Sequence, residues 1–334
     1  MSFDMFVELT RNNLVESRHY GAAAVCNQRG ELLHSWGDVN QIIFPRSALK
    51  PMLAIAMIES EASDHYQLSD REITMSCASH QGETAHTEVL ERWLQRLGLN
   101  EQHLACGCAW PEDGKAARVL AANGQSSSRI HHNCSGKHLG FLTTAMHIKA
   151  PLNNYCDLQH PVQRLGLKAV SEMVDFDFSS ANIGVDGCGF PAPSMPLVSL
   201  AIGAARLGDS SCFPAKRSSA IMTINQAIVN NPLYMAGSDT LVTDLNRVTR
   251  GAVLAKTGAE GVFIAWLPGQ GLGIALKIAD GSARARSVAL MAILLHLKIL
   301  DKAEQDALRC YSAPSLVNSQ GVQVGEIRAA SSWL

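Results

Sequence analysis

Ser47-Ala48-Leu49-Lys50 is the one Ser-x-x-Lys in the chain, and it opens an apolar run with helical character. On the first turn of a helix, a spacing of three lays the lysine amine over the serine hydroxyl, close enough to take its proton. Serine needs that help at neutral pH, and a helix N-terminus favours the negative charge that develops during attack. About one such spacing is expected by chance in a chain of this size, so the motif needs company. Pro51 follows directly and cannot donate an amide hydrogen one turn back, to the carbonyl of Ser47. An irregular first turn, with room around the hydroxyl, is therefore expected.

Company comes from Lys256-Thr257-Gly258, at the end of the strand-like run Ala252 to Lys256. Such a triplet arises by chance about once in ten chains of this length. In penicillin-interacting serine enzymes a strand-borne Lys-Thr-Gly forms the wall facing the Ser-x-x-Lys helix, and the order of the two motifs here is the same.

Three further loops carry reactive side chains. In Met75 to Glu83, Ser79 reads equally as a second nucleophile or proton carrier and as a helix cap. The segments His131 to His138 and Gly184 to Pro193 each hold one cysteine, Cys134 and Cys188, in a Gly-rich setting. Brought together as thiolates they could bind a soft or borderline metal such as zinc, with further ligands from Asp186, His138 or Lys137. Plain burial of both thiols is the competing reading. Cys106-Gly107-Cys108 is too tight for the usual metal spacing and reads as a loop or core pair.

The elements that must position these groups alternate in character. Tyr20 to Cys26 and Glu31 to Trp36 read as a hairpin around Asn27 to Gly30. Ala252 to Lys256, Val262 to Trp266 and Leu272 to Ile278 read as three more antiparallel strands, and Ser287 to Leu295 as a buried helix. Between them lie helical runs at Leu49 to Ile58, Thr87 to Leu97, Lys137 to Met146, Pro161 to Val174 and Ser218 to Val229. The expected fold is α/β of the α+β kind, an antiparallel sheet drawn from both chain ends and flanked by helices. Residues 1–45 plus 246–334 form the sheet lobe, residues 46–245 a mainly helical lobe, with the active site in a cleft.

Composition narrows the function classes. A net charge of -2, with no block of Lys and Arg, excludes the footprint of a nucleic-acid binder. No uninterrupted apolar stretch of about 18 residues and no basic-then-apolar start are present, so a soluble, unexported protein is expected. Nine scattered cysteines fit a reducing cytoplasm better than a disulfide scaffold. The 17% of charged residues is low, as in a chain whose surface is partly covered by a second subunit.

Taken as a set, Pro45 to Pro51, Cys77 to Glu83, Asn133 to His138, Gly184 to Gly189 and Ala255 to Gly261 resemble the block series of the rhizobial-type, or class 3, L-asparaginases, in the family's order. The resemblance runs from about Val7 to the tail segments Asn318 to Gly321 and Val324 to Arg328. It implies an amidohydrolase that converts L-asparagine to L-aspartate and ammonia on a serine β-lactamase-like and glutaminase-like fold, as a homodimer containing zinc. The family's two Ser-Lys pairs match Ser47 with Lys50 and Ser79 with Lys256. Its metal residues match Cys134, Lys137 and Cys188, while Arg46, His138 and Asp186 stand as substrate-side residues. Ala48, and the short tail after Ile327, depart from the pattern without touching a motif. Three readings follow: an asparaginase in which Ser47 or Ser79 attacks, Ser47 having the stronger positional case because its lysine is one helical turn away; a glutaminase or penicillin-interacting hydrolase, sharing Ser47, Lys50 and Lys256; and a catalytically silent zinc-binding regulatory protein.

Overall fold

The computed structural model describes residues 3–334, which divide into two compact units. The first comprises Met1–Ala48, Met195–Asp209 and Asp244–Leu334. Its sheet has eight strands: β1 (Asp4–Arg11), β2 (Leu14–Asn27), β3 (Leu32–Trp36), β4 (Leu254–Thr257), β5 (Val262–Leu267), β6 (Leu272–Ile278), β7 (Ser315–Val317) and β8 (Gln323–Ala329). The order is β7-β8-β1-β2-β6-β5-β4, with β3 paired to β2 off that path, and every pairing is antiparallel.

The centre of the sheet follows from composition. Ala22, Ala23, Ala24, Val25 and Cys26 of β2 and all six residues of β5 are buried in succession, so these strands are covered on both faces and show no polar alternation. Ala23 lies opposite Leu276 and Val25 opposite Ile274. The helices Leu197–Gly208 and Ala283–His296 pack on this sheet. Gly273 of β6 sits so close to the first of them that a Cβ would collide with the backbone of Ala205 and Ala201.

The mixed α/β architecture and the sheet built from both chain ends are as the sequence indicates. Two parts differ. Strands β1, β7 and β8, which lack a long β-branched run, extend the sheet beyond the expected five strands. The segment Met195–Asp209, read as part of the helical lobe, belongs with the sheet, because its helix buries nine of twelve residues, small ones among them, against β2, β5 and β6.

The second unit comprises Leu49–Ser194 and Ser210–Thr243. Its axis is α1 (Lys50–Glu59), in which Lys50 to Met57 are all buried. Around it lie α2 (Asp70–Cys77), α3 (Thr84–Arg96), α4 (Ser135–His147), α5 (Pro161–Val174) and α6 (Ala215–Asn230), of which α2, α4, α5 and α6 touch α1 directly. The run before Ser79, strand-like by composition, is the helix α2: Ser69 caps it, with the Glu72 carboxylate accepting from the Ser69 N–H at 2.8 Å. Gly136 lets α4 approach α2 so closely that a side chain there would strike the Met75 carbonyl. Among the described residues, no helix is long and apolar enough to cross a membrane.

Gly273→Ala should cost roughly 3 kcal/mol or more, because the obstacle is helix backbone rather than a movable side chain. A denaturant midpoint within experimental error of the parent protein would contradict this account of the strand-helix contact.

Candidate active site

In the sheet unit, Ser47 is half-buried on a 3₁₀ turn, Arg46–Leu49, that precedes α1, while Lys50 and Pro51 occupy the first two positions of that helix. This is the irregular start expected from Pro51. Arg46 is held at φ +53°, a left-handed conformation unfavourable for a residue with a Cβ. Lys256, the third of the four residues of β4, has 1% of its surface exposed, and its amine donates to the Thr257 carbonyl at 2.8 Å. At Gly258 a Cβ would run into the carbonyl oxygen of Pro45. The Lys256-Thr257-Gly258 corner thus lies against the backbone leading into Ser47.

In the helical unit, Lys50 is 1% exposed. Its Nζ donates to the Ala78 carbonyl at 2.5 Å, to Ser79 Oγ at 3.0 Å and, at the limit of 3.5 Å, to the Asn133 carbonyl. Ser79 is half-buried, and its own N–H donates to the Met235 carbonyl at 3.1 Å. The expected pairing set Lys50 with Ser47 and Ser79 with Lys256; the hydrogen bond described here joins Lys50 to Ser79. The carbonyl partners of Lys50 have no sequence signature, since every residue carries that group.

His80, next in the chain, is fully buried. Its Nδ1 accepts from the Gly82 N–H at 3.0 Å, so Nε2 carries the hydrogen and donates to Ser135 Oγ at 2.8 Å. Burial, and then the neighbouring His86, hold its pKa well below that of free histidine.

Cys134, Lys137 and Cys188 meet in the same unit. Lys137, at the first turn of α4, donates to Cys188 Sγ at 3.0 Å and lies 4.1 Å from the centre of the Phe190 ring. Cys188 sits in the turn between the short strands Ile183–Val185 and Pro191–Pro193, whose closure uses an N–H from Gly189 to the Asp186 carbonyl at 2.8 Å. The two thiols share a hydrogen bond that pulls Cys134 well below the ordinary thiol range and pushes Cys188 up. Burial opposes charge on Lys137, but the Cys188 and Cys134 sulfurs outweigh it and raise its pKa. Among the described residues, no three or more His, Cys, Asp or Glu side chains gather as a metal cluster. Two sulfurs and an amine nitrogen are nevertheless a donor set suited to a borderline metal, once the amine loses its proton. Cys106 is buried and Cys108 exposed, so that pair does not act together.

His138 is fully buried beside this group. Tyr155 Oη receives the Ala105 N–H at 2.7 Å, and its own buried hydrogen is satisfied by His138 Nδ1 at 2.7 Å. That leaves Nε2–H as a donor with no partner among the described residues. Tyr155 and Ala105 lie far from His138 in sequence, and no spacing announces them.

A family model described as L-asparaginase II matches residues 7–329. The chain belongs to the L-asparaginase II family. It is an amidohydrolase, and its reaction is hydrolysis of L-asparagine to L-aspartate and ammonia. No curated protein matches this asparaginase. Among solved structures it is similar to a beta-lactamase from Mycobacterium bovis, with 14% identity, 87% of this chain and 95% of that one covered, and a TM-score of 0.41. It is also similar to Mglu in its native form, with 16% identity, 84% of this chain covered and a TM-score of 0.39. The asparaginase spans 62% of the length of that Mglu chain.

His80 and His138 are both buried and neutral in the folded asparaginase, with pKa values depressed from 6.5 by burial first. The unfolded chain takes up their protons as pH falls through about 6.5, while the folded chain does not. Stability should therefore be full above that pH and decline below it, by up to about 1.4 kcal/mol per pH unit for each of the two. Urea unfolding at pH 7.5, 6.5 and 5.5 measures the slope, and a flat profile contradicts the assignment of two buried neutral imidazoles.

Proposed function

We propose that the asparaginase acts through a serine nucleophile served by Lys50, with Ser79 as proton carrier. The observation that supports this most is the buried Lys50 amine hydrogen-bonded to Ser79 Oγ at 3.0 Å. Ser47 lies three residues before Lys50, at the mouth of α1, and is the attacking residue. Its oxygen bonds to the side-chain carboxamide carbon of asparagine while its proton passes to Lys50, which enters this step as a neutral amine donating to only two of its three acceptors, so that a lone pair is free. The resulting oxyanion is held by backbone N–H groups near Ser47 and after Gly258. When the carbon-nitrogen bond breaks, the Lys50 ammonium, directly or through Ser79, returns a proton to the leaving ammonia. Water then attacks the Ser47 ester, losing a proton to Lys50; the bond from the Ser47 oxygen to the acyl carbon breaks, Lys50 returns the proton to that oxygen, and aspartate is released.

Lys256 brings a second amine to the end of the strand that leads into Gly258. Arg46 suits the substrate carboxylate, and Asp186 the substrate ammonium. The unpartnered His138 Nε2–H is a donor in want of an acceptor, as a substrate-binding role requires. Zinc, the metal implied by the resemblance to class 3 asparaginases, would be held by Cys134, Lys137 and Cys188. Bound there, it would supply Lewis-acid positioning for a polar ligand. The homodimer implied by that resemblance, and the cytoplasmic location suggested by the scattered cysteines, belong to the same proposal.

Ser47→Ala and Lys50→Met should each lower ammonia release from asparagine by about a thousandfold or more, and Ser79→Ala by less, about tenfold to a hundredfold. Acid quenching during turnover, followed by peptide mapping, should find the acyl group on Ser47; a label confined to Ser79 would reverse the two roles. Glutamine and nitrocefin, run beside asparagine, should be turned over far more slowly. Cys188→Ala should lower the zinc retained per chain after dialysis, and an unchanged zinc content would remove that cysteine from the metal site.

A further inference from the structure

His80 adjoins the proposed proton carrier, yet the mechanism gives it no task. It is fully buried, so its two ring nitrogens need partners, and both have them. Nδ1 is taken up by the Gly82 N–H at 3.0 Å, and the Nε2 hydrogen is given to Ser135 Oγ at 2.8 Å. Neither nitrogen is left to accept a proton from Ser79, which rules His80 out as a base in this arrangement. What it does instead follows from where its partners lie. Gly82 belongs to the loop that carries Ala78 and Ser79. Ser135 is the first residue of α4, directly after Cys134, and its hydroxyl is anchored in turn on the Ile130 carbonyl at 2.9 Å.

Those two segments supply the acceptors of Lys50. Ala78 O and Ser79 Oγ come from one, at 2.5 and 3.0 Å, and Asn133 O from the other, at 3.5 Å. The Lys50 amine can face all three only while the segments keep one register. The side-chain bond that joins them beside the amine is His80 to Ser135.

Resting on the proposed Ser-Lys mechanism, we infer that His80 is a positioning residue: its bond to Ser135 locks the Ser79 loop to the start of α4, fixing the Ser79 hydroxyl and the Ala78 carbonyl on the Lys50 amine. Hydroxyl and amine must stay within hydrogen-bond reach for proton transfer, and a misplacement of about 1 Å can cost about a hundredfold in rate. The link therefore acts on turnover rather than on substrate affinity.

The test compares His80→Leu, His80→Gln, Ser135→Ala and the double variant His80→Leu/Ser135→Ala, with Lys50→Met as control. All are assayed for ammonia release from asparagine well below their melting temperatures. His80→Leu should lower kcat by about tenfold to a hundredfold with KM within about twofold. Gln places an amide N–H where Nε2–H stood, so His80→Gln should recover most of that loss. Ser135→Ala should lower kcat as well, and the double variant should be no slower than His80→Leu, because both changes cut the same link. A purely structural histidine would lower the melting temperature and leave kcat of the folded enzyme alone.

Unchanged kcat in His80→Leu, no recovery in His80→Gln, or multiplicative losses in the double variant would each overturn the inference. Should His80→Leu fail to fold, Ser135→Ala decides: a kcat equal to that of the parent protein overturns the link. If Lys50→Met keeps full activity, the Ser-Lys reading falls and this inference with it. An inactive Lys50→Met beside a fully active His80→Leu overturns the inference alone.

Discussion

Lys50 is an amine placed where water cannot reach it, and the helical unit is arranged around satisfying it. A buried amine that lacks acceptors costs several kcal/mol, so a helix beginning with lysine could not form the axis of a packed unit unaided. Two carbonyls and one hydroxyl provide the acceptors, drawn from segments about 30 and 80 residues further along the chain. The lysine is thereby both a structural demand and a chemical opportunity. The geometry that compensates its burial also brings its nitrogen to a serine hydroxyl. Apolar residues could fill the same space more cheaply, which is why a buried lysine with a hydroxyl partner points to function rather than to stability.

The segments that meet the lysine are themselves pinned by close backbone approaches. Gly136 lets α4 lie on the Met75 carbonyl, at the end of the helix that delivers Ala78 and Ser79. The Ser79 N–H is tied to Met235, and the following histidine spans to Ser135. One turn further along α4, Lys137 reaches Cys188, so the helix that orients the serine loop also presents the amine of the thiol group. In the sheet unit a similar economy holds: Gly258 is small because the Pro45 carbonyl occupies the space of a side chain, and Pro45 leads directly to Arg46 and Ser47.

The charge environment separates into two kinds of buried base. His80 and His138 are neutral because burial disfavours their charged forms and each nitrogen assignment follows from a hydrogen-bond chain. Cys134 and Lys137 run the other way: the hydrogen bond with Cys188 pulls the Cys134 thiol down against its burial, and the Cys188 and Cys134 sulfurs raise Lys137 against its own. Neutral imidazoles therefore lie next to this group of an amine and two thiols in one region of the helical unit.

Much of this was legible in the residues. Ser47, Lys50, Ser79, Cys134, Lys137, Cys188 and Lys256 stand in motifs whose chemistry is local, and Pro51 by itself implies the irregular entry to α1 that is observed. The strands at Val262 and Leu272 follow from apolar runs bounded by Gly and Pro. What tertiary structure decided is pairing. Spacing pairs Lys50 with the serine one turn away; it says nothing of the hydroxyl 29 residues on that its amine also reaches, aimed there by backbone carbonyls of two other segments. Likewise, Leu197–Gly208 joins the sheet rather than the helices, and Tyr155 and Ser135 orient two histidines. Periodicity and motif spacing report on neighbours along the chain; carbonyl acceptors and long-range hydrogen bonds leave no mark there, since every residue carries the groups that make them.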